Sequence, residues 1–96
     1  MKIIDSHTHI VPEKIAVVVQ KMLLEKWGLH SFGVMTEKGL LEKMEDAGID
    51  MSVVLCVAEK PSVVESANNI VISACQNPRL RALGTIHPDY EDVKAE

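Results

Sequence analysis

Met51-Ser52-Val53-Val54-Leu55-Cys56-Val57-Ala58 is the stretch that decides the fold. The six residues from Val53 to Ala58 are all apolar, and so short a run reads as a strand rather than a helix. A strand apolar on both faces belongs inside a parallel sheet covered on both sides. Downstream, Lys60-Pro61 breaks the run, and Ser62 with Glu65 predicts a capping box. The helix it opens carries Val63, Ala67, Ile70, Val71 and Ala74 on one face and closes at Asn77-Pro78. Leu80 to His87 is a third strand with Gly84 inside it; Pro88-Asp89 ends it, and Glu91 to Glu96 starts a further helix.

Upstream, Gly48 stops a helix that Thr36 caps and that buries Leu40, Leu41, Met44 and Ala47. Leu29 to Met35 holds Gly33 and has no clear period, so it is a loop. Before it runs a helix from Pro12 to Gly28, with Ile15, Val19, Met22, Leu23 and Trp27 as its buried stripe. Lys2 to Ile10 ends in strict alternation and is the first strand. Strand, helix, helix, strand, helix, strand and the start of a helix make an α/β chain with a parallel sheet and right-handed crossovers. No linker, repeat or low-complexity segment divides it.

Composition excludes several classes. With 10 Lys and Arg against 14 Asp and Glu, the net charge of -4 gives no footprint for nucleic acid or an anionic membrane. No apolar run approaches the roughly 20 residues of a membrane span. Asp5 interrupts the N-terminus where a secretion signal needs apolar residues, so a cytoplasmic location is the expectation. Cys56 and Cys75 lack metal-type spacing and read as reduced core residues, with a disulfide or a reactive thiol as the alternative. The clusters Glu42-Lys43 and Glu45-Asp46 are the solvated face of the second helix.

Asp5, His7 and His9 carry the chemistry. Regular alternation aims all three the same way. Two imidazoles two residues apart start roughly 7 Å apart along a strand, and their rings can converge on one metal ion. Asp5, one step further in, then suits holding or polarising an imidazole better than serving as a third ligand. His-x-His taken alone is equally a pair of exposed polar residues at a strand end. Its position favours the metal reading, because parallel α/β folds place their sites at the C-terminal ends of strands. His87, at the end of the third strand, is either a substrate-side group or a residue held by the Pro88 turn. His30, near Trp27 and Phe32, lines a substrate entrance or simply packs at the surface.

Three segments together carry a family resemblance: Ile4-Asp5-Ser6-His7-Thr8-His9-Ile10, Ala47-Gly48-Ile49-Asp50-Met51-Ser52-Val53-Val54-Leu55 and Leu83-Gly84-Thr85-Ile86-His87-Pro88-Asp89. The chain resembles the opening of the amidohydrolase superfamily, in particular the amidohydrolase-related metal-dependent hydrolases that include non-oxidative decarboxylases. The resemblance implies the first three βα units of a (β/α)8 TIM barrel. Residues 1–96 would be the N-terminal part of that single domain, breaking off within the third helix. It implies His7 and His9 as ligands of a divalent metal, zinc first among them. The family's remaining ligands, histidines of the fifth and sixth strands and an aspartate of the eighth, have no counterpart here, and no catalytic residue can be assigned within the chain.

A barrel of this kind needs about 250 residues. The expected parent is therefore an enzyme that uses metal-activated water to hydrolyse a C–N or C–O bond of a small molecule, or that decarboxylates it, with the 96 residues alone lacking a complete site. Two alternatives stand beside it. One is a barrel phosphoesterase or deoxyribonuclease, against which the acidic balance argues. The other is a non-catalytic remnant or a self-associating module, since an open sheet with an uncovered apolar face favours homo-oligomers.

Overall fold

The structure is a computed structural model that describes residues 1–96. Three parallel strands, β1 (Ile4–His9), β2 (Met51–Leu55) and β3 (Leu80–Leu83), lie in the order β1-β2-β3. Helices α1 (Glu13–Trp27) and α2 (Glu37–Ala47) connect β1 to β2, and α3 (Val64–Ala74) connects β2 to β3. The sheet is open, with β1 and β3 as free edges, and does not close into a barrel. No helix is long and apolar enough to cross a membrane.

The predicted helix ends hold where glycine or threonine chemistry sets them. Thr36 Oγ1 accepts the Gly39 N–H at 3.0 Å to cap α2. Gly28 and Gly48, with φ of 64° and 69°, take the left-handed conformation that ends α1 and α2. The Ser62 capping box does not form. Pro61 starts a tight 3-10 turn over Pro61–Val63, which places Ser62 inside the turn, and α3 begins at Val64 with no side-chain cap. The helix expected from Glu91 to Glu96 is a series of turns, since six residues are too few to repay helix nucleation.

One face of the sheet is covered. Val54 and Leu80 pack with Met44 of α2, Val71 and Ala74 of α3, and Ile10 in a single core. The alternate residues of β2, Met51, Val53 and Leu55, are only half-buried, while Ile4 and Leu83 on the same side are 59% and 61% exposed. The expectation that β2 is covered on both faces is therefore corrected. In a sequential parallel order, crossovers of one hand all return over the same side, and the other face receives no helical layer.

The predicted stripe of α1 is also not buried. Ala16 is its one fully buried residue, and Trp27 is 63% exposed. The helix lies outside the core. Its Gln20 amide ties it to the following loop, donating to Gly33 O and accepting from Met35 N, each at 3.0 Å.

The third strand is shorter than expected, ending at Leu83 rather than His87. Beyond it the backbone leaves β2 and pairs with a side chain. Thr85 N–H donates to Asn68 Oδ1 at 2.7 Å, and Asn68 Nδ2 donates to Thr85 O at 3.0 Å. The carboxamide thus substitutes for a strand partner, and Gly84 leaves room for it, because a Cβ there would meet Asn68 Oδ1 at 3.2 Å.

Candidate metal centre

β1 is not a regular strand. Asp5 pairs with Ser52 and Thr8 with Val54, so three steps along β1 match two along β2. The extra residue is a β-bulge at Ser6-His7. Its consequence contradicts the simple alternation: Asp5 shares the face of Ser52, toward the helices, whereas His9 pairs with Leu55 and takes the uncovered face. Asp5 remains coupled to the pair through the backbone, since its Oδ1 accepts the His7 N–H at 3.1 Å across the bulge. Thr8 Oγ1 donates to Val53 O at 2.9 Å and pins the end of β1 to β2.

The two histidine rings lie against each other. Their Nε2 atoms lie 3.1 Å apart, with ring centroids 5.0 Å apart and planes inclined by 67°. Two imidazole nitrogens bound to one tetrahedral zinc at their usual bond lengths would be about 3.3 Å apart, so the pair has the spacing of a chelate. His9 is also oriented correctly. Its Nδ1 lies 3.0 Å from Leu55 O. A carbonyl can only accept, so Nδ1 carries the proton and Nε2 presents a lone pair. A backbone carbonyl on the far nitrogen is the usual support of a metal-bound histidine.

The donor set stops at two. No group of three or more His, Cys, Asp or Glu side chains is placed to hold a metal ion. A cleft of about 650 Å³ runs along the free edge of β1, and Asp5, His7, His9, His30, Phe32 and Lys43 are among its walls. His30 is thus on the same cleft as the histidine pair. A larger groove of about 940 Å³ has Glu37, Glu42, Glu45 and Arg79 in its walls and no histidine, so it is not the place for this chemistry.

His87 is not in the cleft. It follows β3 at the same end of the sheet, with its side chain 22% exposed. Its Nδ1 receives the Asp89 N–H at 3.2 Å, and the Asp89 carboxylate is 3.9 Å from the same nitrogen.

Two buried polar residues went unmarked in the sequence. Asn68, 7% exposed, uses its whole carboxamide: besides Thr85 it donates to Glu96 Oε1 at 2.8 Å and accepts from Cys56 Sγ at 3.3 Å. Its signal was present, as a polar residue four after Val64 and three before Val71 on the apolar face of α3. Ser52 Oγ is buried without a partner, beside Asp5 in the register. Both cysteines are free, and burial pushes the Cys56 thiol up.

Comparison with family models, curated proteins and solved structures finds no match for this chain.

Proposed function

We propose that the chain is the N-terminal part of a metal-dependent, amidohydrolase-type enzyme acting on a small molecule. The observation that carries the reading is the 3.1 Å approach of His7 Nε2 to His9 Nε2, with His9 Nδ1 committed to Leu55 O. The one-sided sheet agrees with it. Sequential parallel strands with α2 and α3 against one face have the layout of a barrel wall, whose bare face would line the interior.

In this reading His7 and His9 hold a divalent ion, zinc by the nitrogen donor set. When bound, that ion lowers the pKa of a water and polarises a carbonyl, for hydrolysis of a C–N or C–O bond or for decarboxylation. The chain's own residues supply orientation. Leu55 O fixes the tautomer of His9, and Asp5 holds the His7 backbone in the bulge. With two ligands and no third, the 96 residues bind the ion weakly and leave the proton-moving groups to other parts of the enzyme.

Zinc titration of the chain and of His7→Ala tests this. Weak binding that saturates at one zinc per chain and that the substitution abolishes is expected; equal binding by both proteins would overturn it.

The exposed apolar residues favour a second reading, a self-associating module without catalysis. Val17 and Val18 of α1 are 77% and 68% exposed, and Ile4 and Leu83 lie on the bare sheet face. Light scattering at increasing concentration checks it, and a monomer throughout would exclude it.

A further inference from the structure

We infer that the cleft along β1 binds a small-molecule primary amine as its ammonium, held by the Asp5 carboxylate and the Ser52 hydroxyl, with its apolar chain against the loop that precedes α2. Binding of this kind needs no metal ion, so the inference goes beyond the proposed function and does not depend on it.

Ser52 is the first sign of a ligand. The residue is 1% exposed, it stands in the wall of the cleft, and its Oγ has no hydrogen-bond partner. A buried hydroxyl in that state is costly, and native folds keep few of them. Asp5 pairs with Ser52 across β1 and β2, so the two side chains stand on one face of neighbouring strands about 4.8 Å apart. The Asp5 carboxylate spends Oδ1 on the His7 N–H, and no protein donor reaches Oδ2. A nitrogen about 2.9 Å from each oxygen can bridge a carboxylate and a hydroxyl so placed.

Charge selects the bridging group. Asp5 is the one carboxylate in the walls of the cleft, and Lys43 is the one lysine or arginine. Lys43 does not neutralise Asp5. Its Nζ is 3.9 Å from Asp46, which lies outside the cleft, and its methylene stem runs beside Gly33, where a Cβ would meet Lys43 Cγ at 2.9 Å. The remaining titratable walls, His7, His9 and His30, add no negative charge. A carboxylate without a cation of its own takes a charged donor, and an ammonium has N–H groups for both oxygens. Elsewhere the walls are largely apolar, and Leu29, Phe32 and Val34 among them are each more than half exposed. The volume of about 650 Å³ is that of a small-molecule site. A charged head with a short hydrocarbon tail matches both parts.

Titration of the metal-free chain at pH 7 with hexylammonium, 1-hexanol and hexanoate, followed by 15N–1H amide shifts, tests this. Hexylammonium should move the Asp5 and Ser52 amides to saturation and bind about tenfold more tightly than 1-hexanol, the scale of one hydrogen bond to a charged group. Hexanoate should leave both amides unmoved. Asp5→Asn keeps an oxygen for the His7 N–H but loses the charge, and should bind hexylammonium and 1-hexanol alike. Ser52→Ala should weaken hexylammonium several-fold while the urea midpoint holds or rises, because it removes an unpaired hydroxyl; a merely structural serine would lower the midpoint instead. Equal binding of hexylammonium and 1-hexanol by the unmutated chain would overturn the inference, as would a preference that survives Asp5→Asn or an affinity unchanged in Ser52→Ala. Should Asp5→Asn not fold, the three probes and Ser52→Ala decide the result. Failure of the chain to bind zinc would strike the proposed function and leave this one standing.

Discussion

His9 and His87 stand at the ends of two strands of one sheet, yet their rings are prepared in opposite ways. His9 Nδ1 faces a carbonyl, and His87 Nδ1 faces an amide N–H. The first contact leaves a lone pair on Nε2, and the second leaves a proton. Identical side chains thus present a lone pair in one case and an N–H in the other, set by single backbone atoms. Neighbouring structure makes the difference: β1 is shaped by a bulge that pairs His9 with His7, and the end of β3 is shaped by a buried asparagine.

The largest effect that would break this contrast is on metal binding. If His7 and His9 hold the ion as proposed, His9→Ala removes one of two ligands, and zinc affinity should fall more than 100-fold in a calorimetric titration, about 2.7 kcal/mol or more. His87→Ala should leave it unchanged. A comparable loss in both variants would merge the two roles.

Asn68→Leu comes next, and it tests the other strand end. The substitution keeps volume but strands the Thr85 N–H and C=O, so unfolding in urea should show a loss of about 2–4 kcal/mol. Zinc affinity should hold under native conditions.

Asp5→Ala sharpens the account of β1. It removes the acceptor of the His7 N–H, which relaxes the bulge and should weaken zinc about tenfold. No change would mean that the bulge is held by Thr8 and the sheet alone.

Gly84→Ala should have a smaller effect. The added methyl presses on Asn68 Oδ1 at 3.2 Å, and about 1 kcal/mol of stability should be lost, with none of that loss in an Asn68→Ala background.

The smallest effect is the pH dependence from Cys56. Burial raises its pKa above the ordinary 9.0, so the folded chain holds the thiol proton where the unfolded chain has released it. The contribution is complete below pH 9.0 and declines as pH rises beyond it. Cys56→Ser should flatten that decline in urea midpoints measured from pH 8 to pH 10.

Much of the fold was legible because local chemistry determined it. Val53 to Leu55 marked the central strand, and Thr36, Gly28 and Gly48 marked helix ends where a hydroxyl or a positive φ is required. Features that depend on distant partners were hidden. The bulge leaves no mark in Ile4 to Ile10, because inserting a residue into the pairing changes no residue type. Leu80 to His87 reads as one strand, and only the side chain of Asn68, from another element, ends it at Leu83. The stripe of α1 is apolar in sequence, but burial needs a surface to pack against, and the core lies elsewhere. At the site, His-x-His and the rim position were readable. The tautomers were not, since they depend on Leu55 O and the Asp89 N–H.

Zinc titration monitored at the imidazole nitrogens by 15N–1H spectroscopy tests the central claim most directly. The account predicts that the Nε2 resonances of His7 and His9 move together to metal-bound positions, while His87 keeps its Nε2 proton throughout. Zinc that leaves the His7 and His9 nitrogens unmoved, or that binds His9 through Nδ1, would contradict it.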